Sequence, residues 1–146
     1  MNYTYKISCT TSNLSNIRSF VSDSLHKLHV VERESNMIVL AVDEICANIA
    51  VHTPNRIDVD NYVEVNIQMT GPDGIVVDIF DNGKPFNPTI YKKLSIDSIV
   101  RTKRKGGLGL ALVNRIMDKV EYTVYNQLNV CRMKKRVSLD WSSASY

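Results

Sequence analysis

The sequence predicts an α+β fold of two layers, in which helices pack on one face of a mixed, mostly antiparallel sheet. Two segments in the first third of the chain, at about 14–30 and 34–52, carry apolar residues at helical spacing. Segments with strand character follow later and do not alternate with helices, which disfavours parallel βαβ units. We expect residues 1–146 to form a single domain.

The predicted elements follow one another along the chain. Residues 3–8 alternate as a short strand, and polar side chains at 13–16 could cap the first helix. Pro54 ends the second helix, because a residue before proline disfavours helical geometry. The remaining predicted elements are strands at 62–69 and 75–80 around a turn at 71–74, a helix at 107–118, and strands at 119–126 and 129–139 around a turn at 127–128.

The segment 81–105 has little sustained period and contains Pro85 and Pro88. A long irregular connection inside a compact domain is uncommon unless it serves as a lid or a binding loop. We therefore expect this segment to belong to a functional site.

Composition favours a soluble cytoplasmic protein. Three cysteines without a C-x-x-C pair argue against a disulfide framework or a zinc site. The N-terminus lacks the apolar core of a signal peptide, and no apolar run reaches the roughly 18 residues of a membrane helix. The formal net charge of +3 is too small to indicate nucleic-acid binding, which we place last among the functions.

Glu44 and Asn48 lie one helical turn apart in the second predicted helix. They follow the margin of an apolar stripe, so their side chains would project at the edge of the core. A carboxylate there can take a proton or orient a nucleophile, and a carboxamide oxygen can join the shell of Mg²⁺. Ordinary polar residues at a helix boundary explain the same pattern, so the helix alone leaves both interpretations open.

The stretch Asp81-Asn82-Gly83 follows an apolar strand. Asn and Gly tolerate positive φ, so a simple turn explains it. The functional interpretation is that the Asp81 carboxylate accepts a hydrogen bond from an adenine amino group. Gly83 would then let the backbone approach the base closely.

A glycine-rich stretch, Lys105-Gly106-Gly107-Leu108-Gly109-Leu110, precedes an apolar helix. Free N–H groups at a helix start, together with the basic run 101–105, would attract a polyphosphate. The stretch lacks the G-K-[ST] of a Walker loop and does not match the dinucleotide fingerprint. A flexible loop with a solvated basic run remains the alternative.

In this order, the three stretches resemble the N, G1 and G2 boxes of the GHKL ATPase superfamily, which groups gyrase-type ATPases, Hsp90, histidine kinases and MutL. Within this superfamily, the residues in and around the three stretches most resemble those of the bacterial anti-sigma-factor serine kinases. The residues that carry this likeness are Leu40 to Asn48 with His52, Asp81 to Pro88, and Gly106 to Leu110 with Met117-Asp118 and Glu121-Tyr122. Lys84-Pro85 stands where the wider superfamily favours a second glycine. This departure favours the serine-kinase branch of the superfamily over its other members.

The resemblance implies a Bergerat-type sandwich, with ATP held under a lid formed by part of 88–105. By matching position, Glu44 would be the general base and Asn48 the Mg²⁺ ligand. Asp81 would accept a hydrogen bond from the adenine amino group, and Gly83 would let the backbone lie close to the base. The other nucleotide contacts would be Lys105, Gly106, Gly107, Leu108, Gly109 and Leu110.

The activity implied by the resemblance is that of an ATP-dependent protein serine/threonine kinase. It would phosphorylate an anti-anti-sigma partner of the STAS type and could sequester a sigma factor. A homodimer is the assembly that the resemblance implies. A regulatory module that binds ATP and acts by sequestration, with negligible phosphotransfer, is the alternative. No direct contact with nucleic acid or membrane is expected.

Overall fold

The computed structural model describes residues 1–52, 60–83 and 107–143. Its strands are β1 (Asn2–Ser8), β2 (Tyr62–Thr70), β3 (Gly74–Asp81), β4 (Lys119–Tyr125) and β5 (Leu128–Arg136). Its helices are α1 (Leu14–Lys27), α2 (Glu32–His52) and α3 (Gly107–Ile116), with 3₁₀ turns at Thr11–Asn13 and Trp141–Ser143. The α+β class and the order of elements are as predicted. The proposed lid lies outside the described residues.

The five described strands form one sheet in the order β1-β2-β3-β5-β4. Every neighbouring pair is antiparallel, so the sheet that the sequence predicts as mixed is antiparallel throughout the described strands. β3 is central, is paired on both sides, and has five consecutive buried residues from Ile75 to Ile79. Its C-terminal residue, Asp81, therefore emerges in the middle of the sheet.

One face of the sheet packs against the helices. The side chains that alternate inward from β2 and β3 share a single core with α1, α2 and α3, as period-2 patterning predicts. The largest fully buried side chains of this core are Ile17, Leu25, Ile38, Ile67, Ile75, Ile79 and Met133. The helices thus form the second layer and bring α2 and α3 into contact with each other.

The beginning and end of α1 differ from the prediction. Asn13 makes no side-chain cap, because its Nδ2 donates instead to the Ser8 carbonyl at 2.9 Å. The helix ends at Lys27, short of residue 30, since His29 adopts a left-handed φ of 65°. That backbone turn lets Val30 form a bridge with Leu139 of the C-terminal segment.

The β4–β5 hairpin turns one residue earlier than predicted. Asn126 and Gln127 both have positive φ, 49° and 67°, as a two-residue primed turn requires. The preference of Asn for that geometry places the turn there, and β5 accordingly begins at Leu128.

Among the described residues, the helices are too short or too polar to span a membrane.

Candidate functional site

The second helix places Glu44 and Asn48 at the edge of the core. Both residues are half-buried, whereas Ile45 and Cys46 between them are buried. This is the marginal position that the helical period predicts. Arg18 of α1 holds the neighbouring Asp43 through a 2.9 Å ion pair. The helix therefore directs Asp43 toward α1 and leaves Glu44 on another side.

Glu44 meets the first turn of α3. A methyl group built on Gly109 would overlap Glu44 Oε2 and would lie 3.0 Å from Glu44 Cδ. The carboxylate holds this position because Gly109 has no side chain, so any larger residue would displace it. The first and third sequence stretches are therefore adjacent in space, with a carboxylate beside a helix N-terminus whose N–H groups lack intrahelical partners.

The Asn48 carboxamide is the residue predicted to bind Mg²⁺. Its Nδ2 is buried and has no hydrogen-bond partner among the described residues. Buried amide groups normally have partners, so this one is suited to a bound polar group. An amide oxygen that ligates Mg²⁺ while the N–H₂ donates to a phosphate oxygen would satisfy both ends. The donor chemistry of this position therefore fits the metal.

The described residues hold no group of three His, Cys, Asp or Glu side chains suited to a metal. Mg²⁺ in nucleotide sites takes few protein ligands and fills its shell with water and phosphate oxygens. A single Asn48 ligand agrees with that chemistry.

Asp81 closes β3 and is buried, with 5% of its surface exposed. Its Oδ1 accepts two hydrogen bonds, from the Gly83 N–H at 2.9 Å and from Asn129 Nδ2 at 3.0 Å. Asn129 lies directly opposite on β5, is itself buried, and is absent from the sequence-based set of site residues. Its only sequence signal is an Asn at a core-facing strand position, which becomes meaningful once the register pairs it with Asp81.

Burial raises the pKa of the Asp81 carboxyl, and the hydrogen bonds from Asn129 and Gly83 oppose that shift. A buried carboxylate costs free energy unless donors compensate it, so this group is suited to gain a further donor from a ligand.

Three free thiols lie in the electrostatic field of Asp81. Burial raises the pKa of Cys9 to about 11 and that of Cys131 to about 12, with the charge of Asp81 adding to each shift. Burial likewise raises the pKa of Cys46 on α2, with a smaller contribution from Asp81. All three thiols are neutral at pH 7. α2, which carries Glu44 and Asn48, packs against β3 in the shared core.

The remaining predicted contacts are described only in part. Lys105 and Gly106 lie outside the described residues, and only the backbone of Gly107 and Leu108 is described, as the start of α3. Leu110 is buried in the core, so it offers a ligand only its backbone. The described geometry thus brings Glu44 to Gly109 and fixes Asp81 with Gly83.

A family model for the histidine kinase-like ATPase domain matches residues 7–135. The chain therefore belongs to the histidine kinase-like ATPase family, the GHKL class, whose membership implies ATP binding. No curated protein sequence gives a significant match to the chain.

Three solved structures share this fold with the chain. The RsbU and RsbW domains of Rv1364c from Mycobacterium tuberculosis match with a TM-score of 0.69 and 13% identity, over 96% of this chain and 33% of that one. The chain thus spans a third of that structure's length. The catalytic domain of histidine kinase ThkA matches with a TM-score of 0.58 and 12% identity, over 92% of this chain and 95% of that one.

A mycobacterial sensor histidine kinase, MprB, matches with a TM-score of 0.55 and 14% identity, over 93% of this chain and 100% of that one. At these identities the likeness establishes a common fold. The fold is that of a GHKL sandwich, as the sequence predicts.

Proposed function

We propose that this chain is an ATP-dependent protein serine/threonine kinase of the anti-sigma-factor type. The observation that carries the proposal is the contact between Glu44 and Gly109, because it sets a carboxylate beside the helix start where phosphate would bind. A module that only stores ATP needs no base at that position. The fold shared with an RsbW-containing structure supports the same branch.

In this proposal each stretch has one task. Asp81 accepts a hydrogen bond from the adenine amino group, and Gly83 allows the base to approach. Asn48 ligates Mg²⁺, and backbone N–H groups at 105–110 bind the phosphates together with the Lys105 ammonium. Residues 1–146 would form one histidine-kinase-like ATPase domain.

The transfer step requires a base and stabilisation of negative charge. Glu44 accepts the proton of a serine or threonine hydroxyl while that oxygen forms a bond to the γ-phosphorus and the bond to the ADP oxygen breaks. The N–H groups at the start of α3 stabilise charge on the transferring group. Mg²⁺, when bound, neutralises phosphate charge. Positioning and electrostatics thus supply most of the catalysis.

The partner is proposed to be an anti-anti-sigma protein of the STAS type, which supplies the hydroxyl. A sigma factor is a second proposed partner, bound without phosphorylation, and a homodimer is the expected assembly. We propose a cytoplasmic location for these interactions.

The proposal is tested by phosphotransfer from labelled ATP to a STAS-type partner encoded nearby. Glu44→Gln should retain ADP affinity and lose at least a hundredfold in transfer rate, since general bases contribute roughly 10²–10⁴. Glu32→Gln is the matched control, because Glu32 is exposed at the other end of α2. Transfer by Glu44→Gln at the wild-type rate would show that Glu44 is not the base. ADP binding without transfer by the wild type would instead indicate a sequestering module.

A further inference from the structure

Asn82, between Asp81 and Gly83, connects the end of β3 to the chain that enters β2. Its Oδ1 accepts a hydrogen bond from the Tyr62 N–H at 2.8 Å. Its Nδ2 donates to the Asp60 carbonyl, also at 2.8 Å. Both ends of the carboxamide are therefore used, and both bind backbone rather than other side chains.

These two bonds extend the β2–β3 ladder by means of a side chain. The last backbone pair of that ladder is Val63 opposite Asp81. A carboxamide offers the same donor and acceptor as a peptide group, so Asn82 can supply the next rung. Because the side chain occupies that position, the backbone after Asp81 is free to turn away from the sheet.

The turn that results fixes the Asp81 carboxylate. The Gly83 N–H folds back to Asp81 Oδ1, and Asn129 reaches the same oxygen from β5. Two donors on one carboxylate oxygen set the rotation of the group, and with it the direction of Oδ2. Asn82 connects this turn to the entry of β2. Just before β2, the Asn61 carbonyl accepts a 2.9 Å hydrogen bond from the N–H of Cys9, the residue that follows β1.

We infer that Asn82 is a positioning residue for base specificity. It holds the turn that aims the Asp81 carboxylate at the amino group of adenine. Guanine carries a carbonyl oxygen at the equivalent position, which a fixed carboxylate repels. A carboxylate released from its turn discriminates less between the two bases. This inference rests on the proposed ATP site and adds a determinant of its selectivity.

The test is calorimetric titration with ADP and with GDP, on wild type, Asn82→Ala and Asn82→Asp. Asn82→Asp keeps the shape of the side chain and the acceptor for Tyr62, so it guards against a folding failure of the alanine variant. Asn66→Ala is the matched control, because Asn66 lies on β2 and bonds only an exposed Thr4 hydroxyl among its described contacts. Amide hydrogen exchange at Gly83 is measured in parallel, without nucleotide.

Both Asn82 variants should bind ADP about tenfold more weakly and lower the preference for ADP over GDP by a similar factor, as roughly 1.4 kcal/mol of lost hydrogen bonding corresponds to tenfold. The Gly83 amide should exchange at least tenfold faster, although Asn82 does not bond to it. Asn66→Ala should change neither quantity.

Two results overturn the inference in different ways. If wild type binds ADP, and the Asn82 variants keep the wild-type ADP preference and Gly83 exchange rate, Asn82 has no positioning role and the proposed function stands. If wild type binds neither nucleotide, the proposed function fails, and the specificity role of Asn82 fails with it.

Discussion

At the residue scale, Asp81 combines burial with two donors on one oxygen. Burial raises the pKa of its carboxyl above the ordinary value of 3.8. Between the unfolded and folded pKa values the native state binds more protons than the unfolded state. The contribution of Asp81 to stability is therefore fully present below the unfolded pKa and is lost as pH rises through the folded pKa.

Asp81→Asn should remove this pH dependence and keep the fold, because the amide oxygen still accepts from Gly83 and Asn129. The free energy of unfolding of the variant, relative to wild type, should increase as pH rises from about 4 to 7. Urea unfolding at several pH values measures it, and the other carboxyl groups cancel in the difference. A difference that stays flat or falls with pH would show that burial does not raise the pKa of the Asp81 carboxyl in the folded protein.

Gly109 should gain stability from a side chain only when Glu44 is absent. In Gly109→Ala the methyl group displaces the flexible end of Glu44, and this displacement should cost about 1 kcal/mol, which offsets the helix propensity gained from alanine. In a Glu44→Ala background the same substitution should stabilise the helix by up to about 1 kcal/mol, because alanine favours helix over glycine. Denaturant unfolding of the four proteins in this cycle gives the coupling.

A stabilisation by Gly109→Ala that appears only in the Glu44→Ala background is the expected result of that cycle. Equal effects of Gly109→Ala in both backgrounds would mean that Glu44 does not lie against α3, and the argument for a base beside the phosphates would lose its support.

At the element scale, the register of β3 against β5 determines whether Asn129 meets Asp81. A slip of one residue would turn Asn129 away, since side chains alternate between faces. A second cross-strand pair stabilises this register. Arg132 binds the buried Asp78 through both carboxylate oxygens, with Nε–Oδ1 at 2.7 Å and Nη2–Oδ2 at 2.9 Å. Such bidentate pairs are among the stronger ionic contacts in proteins.

Arg132→Met should lower the free energy of unfolding by about 2 kcal/mol, because it leaves the Asp78 carboxylate buried without its cation. Arg136→Met is the control, since Arg136 makes one exposed contact with Asp73 at 3.1 Å, and its loss should cost less than about 1 kcal/mol. Urea unfolding measures both. Equal costs for the two variants would show that the Asp78 pair does not secure the β3–β5 register.

The element boundaries that the sequence predicts wrongly are set by contacts between residues distant in sequence. The apolar period predicts α1 and the β4–β5 hairpin, but it does not indicate that His29 takes a left-handed φ so that Val30 can pair with Leu139. Likewise, the cap expected from Asn13 is lost because its amide binds the end of β1. Local pattern therefore predicts that an element exists, whereas contacts distant in sequence determine where it ends.

At the scale of the whole molecule, the sequence predicts the two layers and the elements that carry each site residue. Glu44 lies at the margin of an apolar stripe and Asp81 at the end of an apolar strand, and the order of the three stretches is what singles them out. The roles of Asn129 and Asn82 are not predictable in this way, because Asn129 depends on the fold bringing the Asp81 carboxylate opposite it and Asn82 on the fold bringing the Tyr62 backbone beside it. Motif spacing thus identifies groups that would contact a ligand, and the structure adds the groups that orient them.

Calorimetric titration of the chain with ADP in the presence of Mg²⁺ shows whether the three separate stretches form one nucleotide site. Wild type should bind ADP saturably at one ADP per chain. Asp81→Asn should bind at least tenfold more weakly, because its amide replaces an acceptor for the adenine amino group with a donor. If wild type gives no heat of binding and no thermal stabilisation by ADP, or if the two proteins bind with equal affinity, the three stretches do not form such a site.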